Sequence, residues 1–245
     1  MSVDRLAELI RSNQPCVVLT GAGVSTESGI PDFRSASGVW ARYDPMEYAT
    51  IEAFHRDPLK VWDFYARRFR MLVDARPNPA HEALAELERE GYAEAVVTQN
   101  IDRLHELAGS RTVIEVHGSI RTSSCLACGR QAGLDDVLRM LENAPAPVCG
   151  NCGSVLKPDV VMFGELLPAE AIMRATELAE SARLLLVVGS SLAVFPVADL
   201  PSRTREAGGR VAIVNREPTP LDGDAEIVIH AGAGETLAAV VQRFR

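Results

Sequence analysis

The fold predicted from this sequence is α/β: a doubly wound, parallel, Rossmann-like sheet with one small lobe inserted. Three observations predict it. Apolar, β-branched runs alternate with helical patterns in both halves of the chain, and several runs are apolar without a break, as in strands covered on both faces. The alternation is interrupted between about residues 118 and 157 by a segment short in large apolar side chains that carries four of the five cysteines. Sheets of this kind bind ligands outside the carboxyl ends of their strands, so the residues that close each run are the candidates for function.

The chain begins with an amphipathic helical pattern, Ser2 to Ile10. The first strand, from Cys16, runs straight into Gly21-Ala22-Gly23 and a polar loop through Glu27, Asp32, Phe33 and Arg34. A strand feeding a glycine turn lets backbone amides approach a phosphate, and a helix N-terminus behind it adds favourable partial charge. Read as Gly-x-Gly-x-x-Gly the motif fails, because Thr26 occupies the third glycine position. A turn that binds nothing is the alternative. The run Gly29 to Arg34, polar and aromatic with no periodicity to bury it, favours a ligand loop. Cys16, alone in its strand, reads as a buried apolar residue.

A long helix is expected from Pro58 to about Ala75. A second is punctuated by Asn78 as cap, Pro79 at its first position and Gly91 beyond its end. Strands at Ala93 to Thr98 and Thr112 to His117 follow, then Arg183 to Val188 and Arg210 to Val214, with a closing helix from Glu235 to Phe244. Gln99, Asn100 and Asp102 end the first of these, either as a turn with a helix cap or as a ribose or carboxamide site. His117 is either structural or a base suited to neutral pH, since no Ser or Cys elbow accompanies it. Gly189-Ser190-Ser191 and Asn215 close the last two. The expected organisation is a Rossmann-like domain from residues 1–117 and 158–245 and a small lobe at 118–157, with a helical part of that lobe from about 35 to 77.

Cys125-x-x-Cys128 and Cys149-x-x-Cys152 are two knuckles with 20 residues between them. That spacing suits four thiolates about one tetrahedral Zn2+, and a set with no open position makes the metal structural; redox-active thiols are the alternative. A formal charge of −8 argues against a nucleic-acid binder that relies on bulk electrostatics. Neither a leader-like pattern nor a bilayer-spanning apolar run is visible, which leads to the expectation of a cytoplasmic protein with reduced thiols and no membrane partner.

Taken in order, the glycine loop with Ser25 and Ser28 through Arg34, Thr98-Gln99-Asn100-Ile101-Asp102, His117-Gly118, both knuckles, Val160-Val161-Met162-Phe163-Gly164-Glu165, Gly189-Ser190-Ser191-Leu192 and Val214-Asn215 resemble the sirtuin family of NAD-dependent protein lysine deacylases. The match spans essentially the whole chain. It implies NAD and an acylated lysine of a protein or peptide meeting in a cleft of a monomer, with His117 and Asn100 catalytic. The acyl oxygen would attack the ribose carbon bearing nicotinamide, and His117 would take a ribose hydroxyl proton. The resemblance assigns phosphates to the loop of Gly21, Ala22 and Gly23, the nicotinamide side to Asn100 and Asp102, and the adenosine end to Gly189, Ser190, Asn215 and Ala233. Glu27, Asp32, Phe33, Arg34, Trp40, Gln99, Ile101, His117, Ser191, Arg216 and Glu217 complete the cofactor set, and Val160, Val161, Met162 and Phe163 would add the substrate peptide as a strand.

Tyr65 and Arg68 share a face of the long helix. By themselves they read as a packed tyrosine and one of several solvated arginines. With Ala49 ahead of them they resemble the branch that removes succinyl, malonyl and glutaryl groups, in which a guanidinium fork and a phenol bind the distal carboxylate. Asp32 departs from that branch, whose close members tend to carry threonine there, and the expectation is therefore activity on acetyl and dicarboxyl acyl-lysines with the latter favoured. Mono-ADP-ribosyl transfer and a silent NAD-binding scaffold are the competing functions.

Overall fold

The computed structural model describes residues 2–245. Its strands, in chain order, are β1 (Cys16–Thr20), β2 (Ala93–Thr98), β3 (Val113–Glu115), β4 (Gly118–Ser124), β5 (Gln131–Gly133), β6 (Lys157–Val160), β7 (Leu184–Val188), β8 (Arg210–Val214) and β9 (Ile227–Ile229). Six form one parallel sheet in the order β3-β2-β1-β7-β8-β9. The chain winds outward from β1 through β2 to β3, then restarts at β7 beside β1 and winds the other way. The reversal lies between β1 and β7, where the crossovers diverge and leave a crevice.

Every residue of β1 and β7 is buried, as unbroken apolar runs require. Alternate residues serve opposite faces: Cys16 and Val18 join a core with the helices Ser2–Ser12, Pro79–Arg89 and Ala233–Val241, whereas Val17 and Leu19 join one with Ala169–Ser181 and Leu200. A separate antiparallel sheet, β5-β4-β6, is built from residues 118–160. It shares a third core with the helix Pro58–Asp74, whose fully buried Trp62 donates from Nε1 to the Leu156 carbonyl at 2.6 Å.

Three features differ from the sequence reading. The glycine turn leads into a 3-10 helix, Ala22–Ser28, not an α-helix, because the Thr26 hydroxyl bonds back to the Gly23 carbonyl at 3.0 Å and the Ser25 side chain turns into the crevice floor. The strand expected to reach His117 is Val113–Glu115, so His117 lies just past it on the link to β4. The inserted segment also contains a helix, Leu134–Asn143, which buries Leu134, Val137 and Leu141 at helical spacing. Among the described residues no helix is long and apolar enough to cross a membrane.

Candidate active site and metal centre

A cavity of about 700 Å³ opens at the β1/β7 reversal and extends between the two sheets. Its floor depends on two glycines. A Cβ on Gly23 would lie 2.8 Å from the Gly189 Cα, and Gly189, at φ +61°, would drive one to 2.2 Å from the Val24 nitrogen. The Gly23 N–H donates to the Gly189 carbonyl at 2.8 Å, locking the end of β1 to the end of β7. Above them the 30–36 loop is folded back on itself: Asp32 Oδ1 accepts from the Ser35 N–H at 2.9 Å, and the Phe33 and Trp40 rings pack with centroids 5.1 Å apart, tilted by 35°.

Beneath the cavity a buried polar network is fully ordered in direction. The Asn78 N–H donates to His81 Nδ1, so the His81 proton is on Nε2, directed at Ser25 Oγ. Ser25 Oγ also accepts from Asn100 Nδ2 at 3.0 Å and donates to Asp102 Oδ2 at 2.7 Å. Asn100 Nδ2 reaches the Gly21 carbonyl as well, which ties the amide to the glycine turn. Burial pushes the Asp102 carboxyl pKa up, against the bonds from Leu104 and Ser25 that favour its charged form.

His117 completes this wall. Its Nδ1 is 3.1 Å from the Gln99 carbonyl, which can only accept, so Nδ1 carries the proton and Nε2 keeps a lone pair. Burial lowers its pKa below that of an ordinary histidine, the Gln99 bond opposes this, and the Arg34 charge adds to the lowering. Gln99 in turn crosses the cavity from Nε2 to Ser190 Oγ at 2.8 Å.

The far end of the cavity holds two polar groups among apolar side chains, with Glu165, which also lines the cavity, near enough to Tyr65 to act on it electrostatically. Tyr65 and Arg68 both line it with Ala49, and both are buried. The Arg68 guanidinium lies over the rings of Phe33 and Phe64, at 4.8 and 5.6 Å, and no described carboxylate pairs with it. Desolvation lowers its pKa and raises that of Tyr65. The opposite rim is the segment Val160 to Phe163, joined to the rest by Val161 N–H to the His117 carbonyl and Phe163 N–H to the Ala49 carbonyl, both 2.8 Å.

Of the residues assigned from sequence, Gly21, Ala22, Asp32, Arg34, Trp40, Ile101, Ser190, Ser191, Asn215 and Glu217 also line the cavity, whereas Glu27, Gly189, Arg216 and Ala233 do not. Glu27 instead accepts from the Gly234 N–H at the start of the last helix and lies 3.6 Å from Arg216. Lys157 was missed; a lone lysine two residues before an aspartate carries no sequence signal of burial.

The four knuckle cysteines converge, with all sulfurs within 4.8 Å of one another. Each knuckle is the same turn: Gly129 N–H returns to the Cys125 carbonyl and Gly153 N–H to the Cys149 carbonyl, both at 2.9 Å, with both glycines at positive φ. None of the cysteines is in a disulfide. Sulfur separations of 3.4, 3.6 and 3.7 Å approach the edge of about 3.8 Å that a tetrahedron with Zn–S bonds of about 2.3 Å demands. The donor set fits a structural Zn2+ with no position left for substrate.

A doubly wound sheet with a polar crevice at its reversal and a closed tetrathiolate centre beside it defines a narrow class. The Sir2 family model matches residues 21–196, and the chain belongs to the Sir2 family. NAD-dependent protein deacylase 2 of Pyrobaculum aerophilum is 48% identical over 98% of this chain and 95% of its own length. The NAD-dependent protein deacetylase of Sulfurisphaera tokodaii is 47% identical over 100% and 97%. The solved structure of a Sir2 protein with a p53 peptide and NAD+ superposes with a TM-score of 0.92 at 39% identity, covering 100% of this chain and 99% of that one.

Proposed function

We propose that the protein is an NAD-dependent protein-lysine deacylase that favours dicarboxyl acyl groups, succinyl and malonyl, while also accepting acetyl, and that releases nicotinamide and O-acyl-ADP-ribose. Full-length relatives named as NAD-dependent deacylases and deacetylases support the general activity. The acyl preference rests on one observation: Arg68 is a buried cation without a described anionic partner, lining the cavity beside Tyr65. A buried charge is costly unless paired, and a guanidinium matches a carboxylate with two parallel bonds. Ala49 leaves room for the chain between them.

NAD, when bound, supplies an activated ribose carbon. The amides of the Gly21 to Gly23 turn would hold its phosphates, Asn100 and Asp102 its nicotinamide side, and the ends of β7 and β8 its adenosine. Asn100 is preset by Ser25 and the Gly21 carbonyl, so binding need not reorganise it. His117 would take a ribose hydroxyl proton on Nε2, the nitrogen its Gln99 bond leaves free. Val160 to Phe163 would pair with the peptide backbone and exclude water from the acyl group.

Steady-state rates with one peptide carrying acetyl, succinyl, malonyl and longer fatty acyl groups test the reading. Losing a charge-assisted pair worth about 1.5–3 kcal/mol, Arg68→Met should lower desuccinylation roughly 10- to 100-fold relative to deacetylation. An unchanged succinyl-to-acetyl ratio would sink the acyl assignment. Labelled ADP-ribose left on protein would point to mono-ADP-ribosyl transfer.

A further inference from the structure

The rim at Val160 to Phe163 is held by an ion pair between buried Lys157 and half-buried Glu165, which also lines the cavity. Lys157, at the start of β6, has a side chain only 7% exposed. Its Nζ lies 3.0 Å from the Pro158 carbonyl, 3.0 Å from the Val160 carbonyl and 2.9 Å from Glu165 Oε2. An ammonium has three N–H donors, and each has one acceptor here. Glu165 Oε2 accepts in addition from the Met162 N–H at 2.8 Å, and the Glu165 N–H returns to the Met162 carbonyl at 3.0 Å.

These contacts alternate along the segment. Backbone groups of 158, 160 and 162 are taken by Lys157 and Glu165, whereas the N–H groups of Val161 and Phe163 bond to the carbonyls of His117 and Ala49. Lys157 and Glu165 thus fix residues 160 and 162 by charge, Val161 and Phe163 are tied through their N–H groups to the candidate base and to the acyl wall, and among the described residues no donor takes the Val161 carbonyl, which is left for a substrate N–H. Where only volume has to be filled, a buried pair is replaceable by apolar side chains without loss of stability. A lysine that saturates three backbone and carboxylate acceptors around one short segment does something apolar groups cannot: it fixes the orientation of the peptide planes.

We propose that Lys157, with Glu165, is a positioning residue that sets the register and height of the acyl-lysine backbone against His117. The inference rests on the reading above that Val160 to Phe163 docks the substrate as a strand. In Lys157→Met the Pro158 and Val160 carbonyls lose their donor and Glu165 its counter-charge, so the rim can rotate. A substrate held by that rim then meets His117 in a spread of geometries, and displacements of about 1 Å can cost on the order of 100-fold in rate.

The test compares an acetyl-lysine peptide with a single acetyl-lysine amide that lacks flanking backbone, in wild type and Lys157→Met, with NAD affinity measured by calorimetry without peptide. In the wild type the peptide should have the higher kcat/KM. Lys157→Met should cut that advantage by about tenfold, chiefly through the peptide kcat, and leave the NAD Kd within about twofold. Should Lys157→Met not be recovered folded, as judged by its thermal midpoint, Lys157→Arg serves: its planar fork cannot converge on three acceptors, and the advantage should fall in the same direction. Equal losses for both substrates, or an unchanged ratio in an active variant, overturn the clamp and leave the deacylase reading standing. A wild type with no preference for the peptide overturns strand docking and the clamp with it. Absence of acyl-dependent nicotinamide release from the wild type overturns the activity itself, and the clamp with it.

Discussion

At His117 one ring nitrogen is committed to the Gln99 carbonyl and the other keeps its lone pair. Burial, then the Arg34 charge, disfavours the imidazolium, so the side chain stays neutral to a pH below the ordinary histidine value of 6.5. A base works in its neutral form. The acid limb of the kcat/KM profile is therefore expected below pH 6.5, and a limb centred above pH 7 would remove His117 from that role. The histidine and its place after an apolar run were legible in the sequence, and so were Asn100 and Asp102. Ser25 was legible only as a motif letter. Its function depends on accepting from His81 and Asn100 while donating to Asp102, and those partners come from segments more than 50 residues away.

Elements with their own punctuation or an unbroken apolar run were read correctly, whereas the helix Leu134–Asn143 and the short β9 were not. Asn78 and Pro79 announce Pro79–Arg89, and the cap geometry is as expected, with the Asn78 side chain accepting from Ala80. The helix Leu134–Asn143 starts after Gly133 with no side-chain cap, and the three-residue β9 is too short for periodicity to register. The knuckles needed no tertiary information, because a Cys-x-x-Cys pair fixes its own turn. Their metal should hold the 125–156 segment in place. Trp62 reports on that segment through its bond to the Leu156 carbonyl, while the six-stranded sheet contains no metal ligand. Chelation under reducing conditions should red-shift tryptophan emission and expose residues 125–156 to proteolysis, with little change in the far-ultraviolet signal of the parallel sheet. Loss of that sheet in the same step would contradict this.

Across the whole molecule, alternating strands and helices were enough to predict a parallel sheet, but not which strands are neighbours. The pairing of β7 with β1, which creates the crevice, follows from where the second winding begins. Deep in this sheet's helical cover the His81 and His105 rings approach to 4.9 Å, and burial lowers their pKa values to about 4 and about 3, with the His81 charge contributing at His105. The unfolded chain takes up protons near pH 6.5 that the folded protein refuses. Stability should thus be full above pH 6.5 and fall as pH drops towards 4, by up to about 1.4 kcal/mol per pH unit from each histidine. Urea midpoints between pH 7 and 5 measure this, and His105→Gln should flatten the slope; a wild-type midpoint constant over that range would contradict it. The link from β3 to β4 has a mechanical meaning as well. The chain passes between the two sheets at His117 and again after Val160, and those two passages are hydrogen-bonded to each other at His117. Points near a pivot travel least when the arms swing. Breathing of the lobes would carry Arg68 and the adenosine end through wide arcs, yet leave the imidazole close to stationary, like the pin of a hinge.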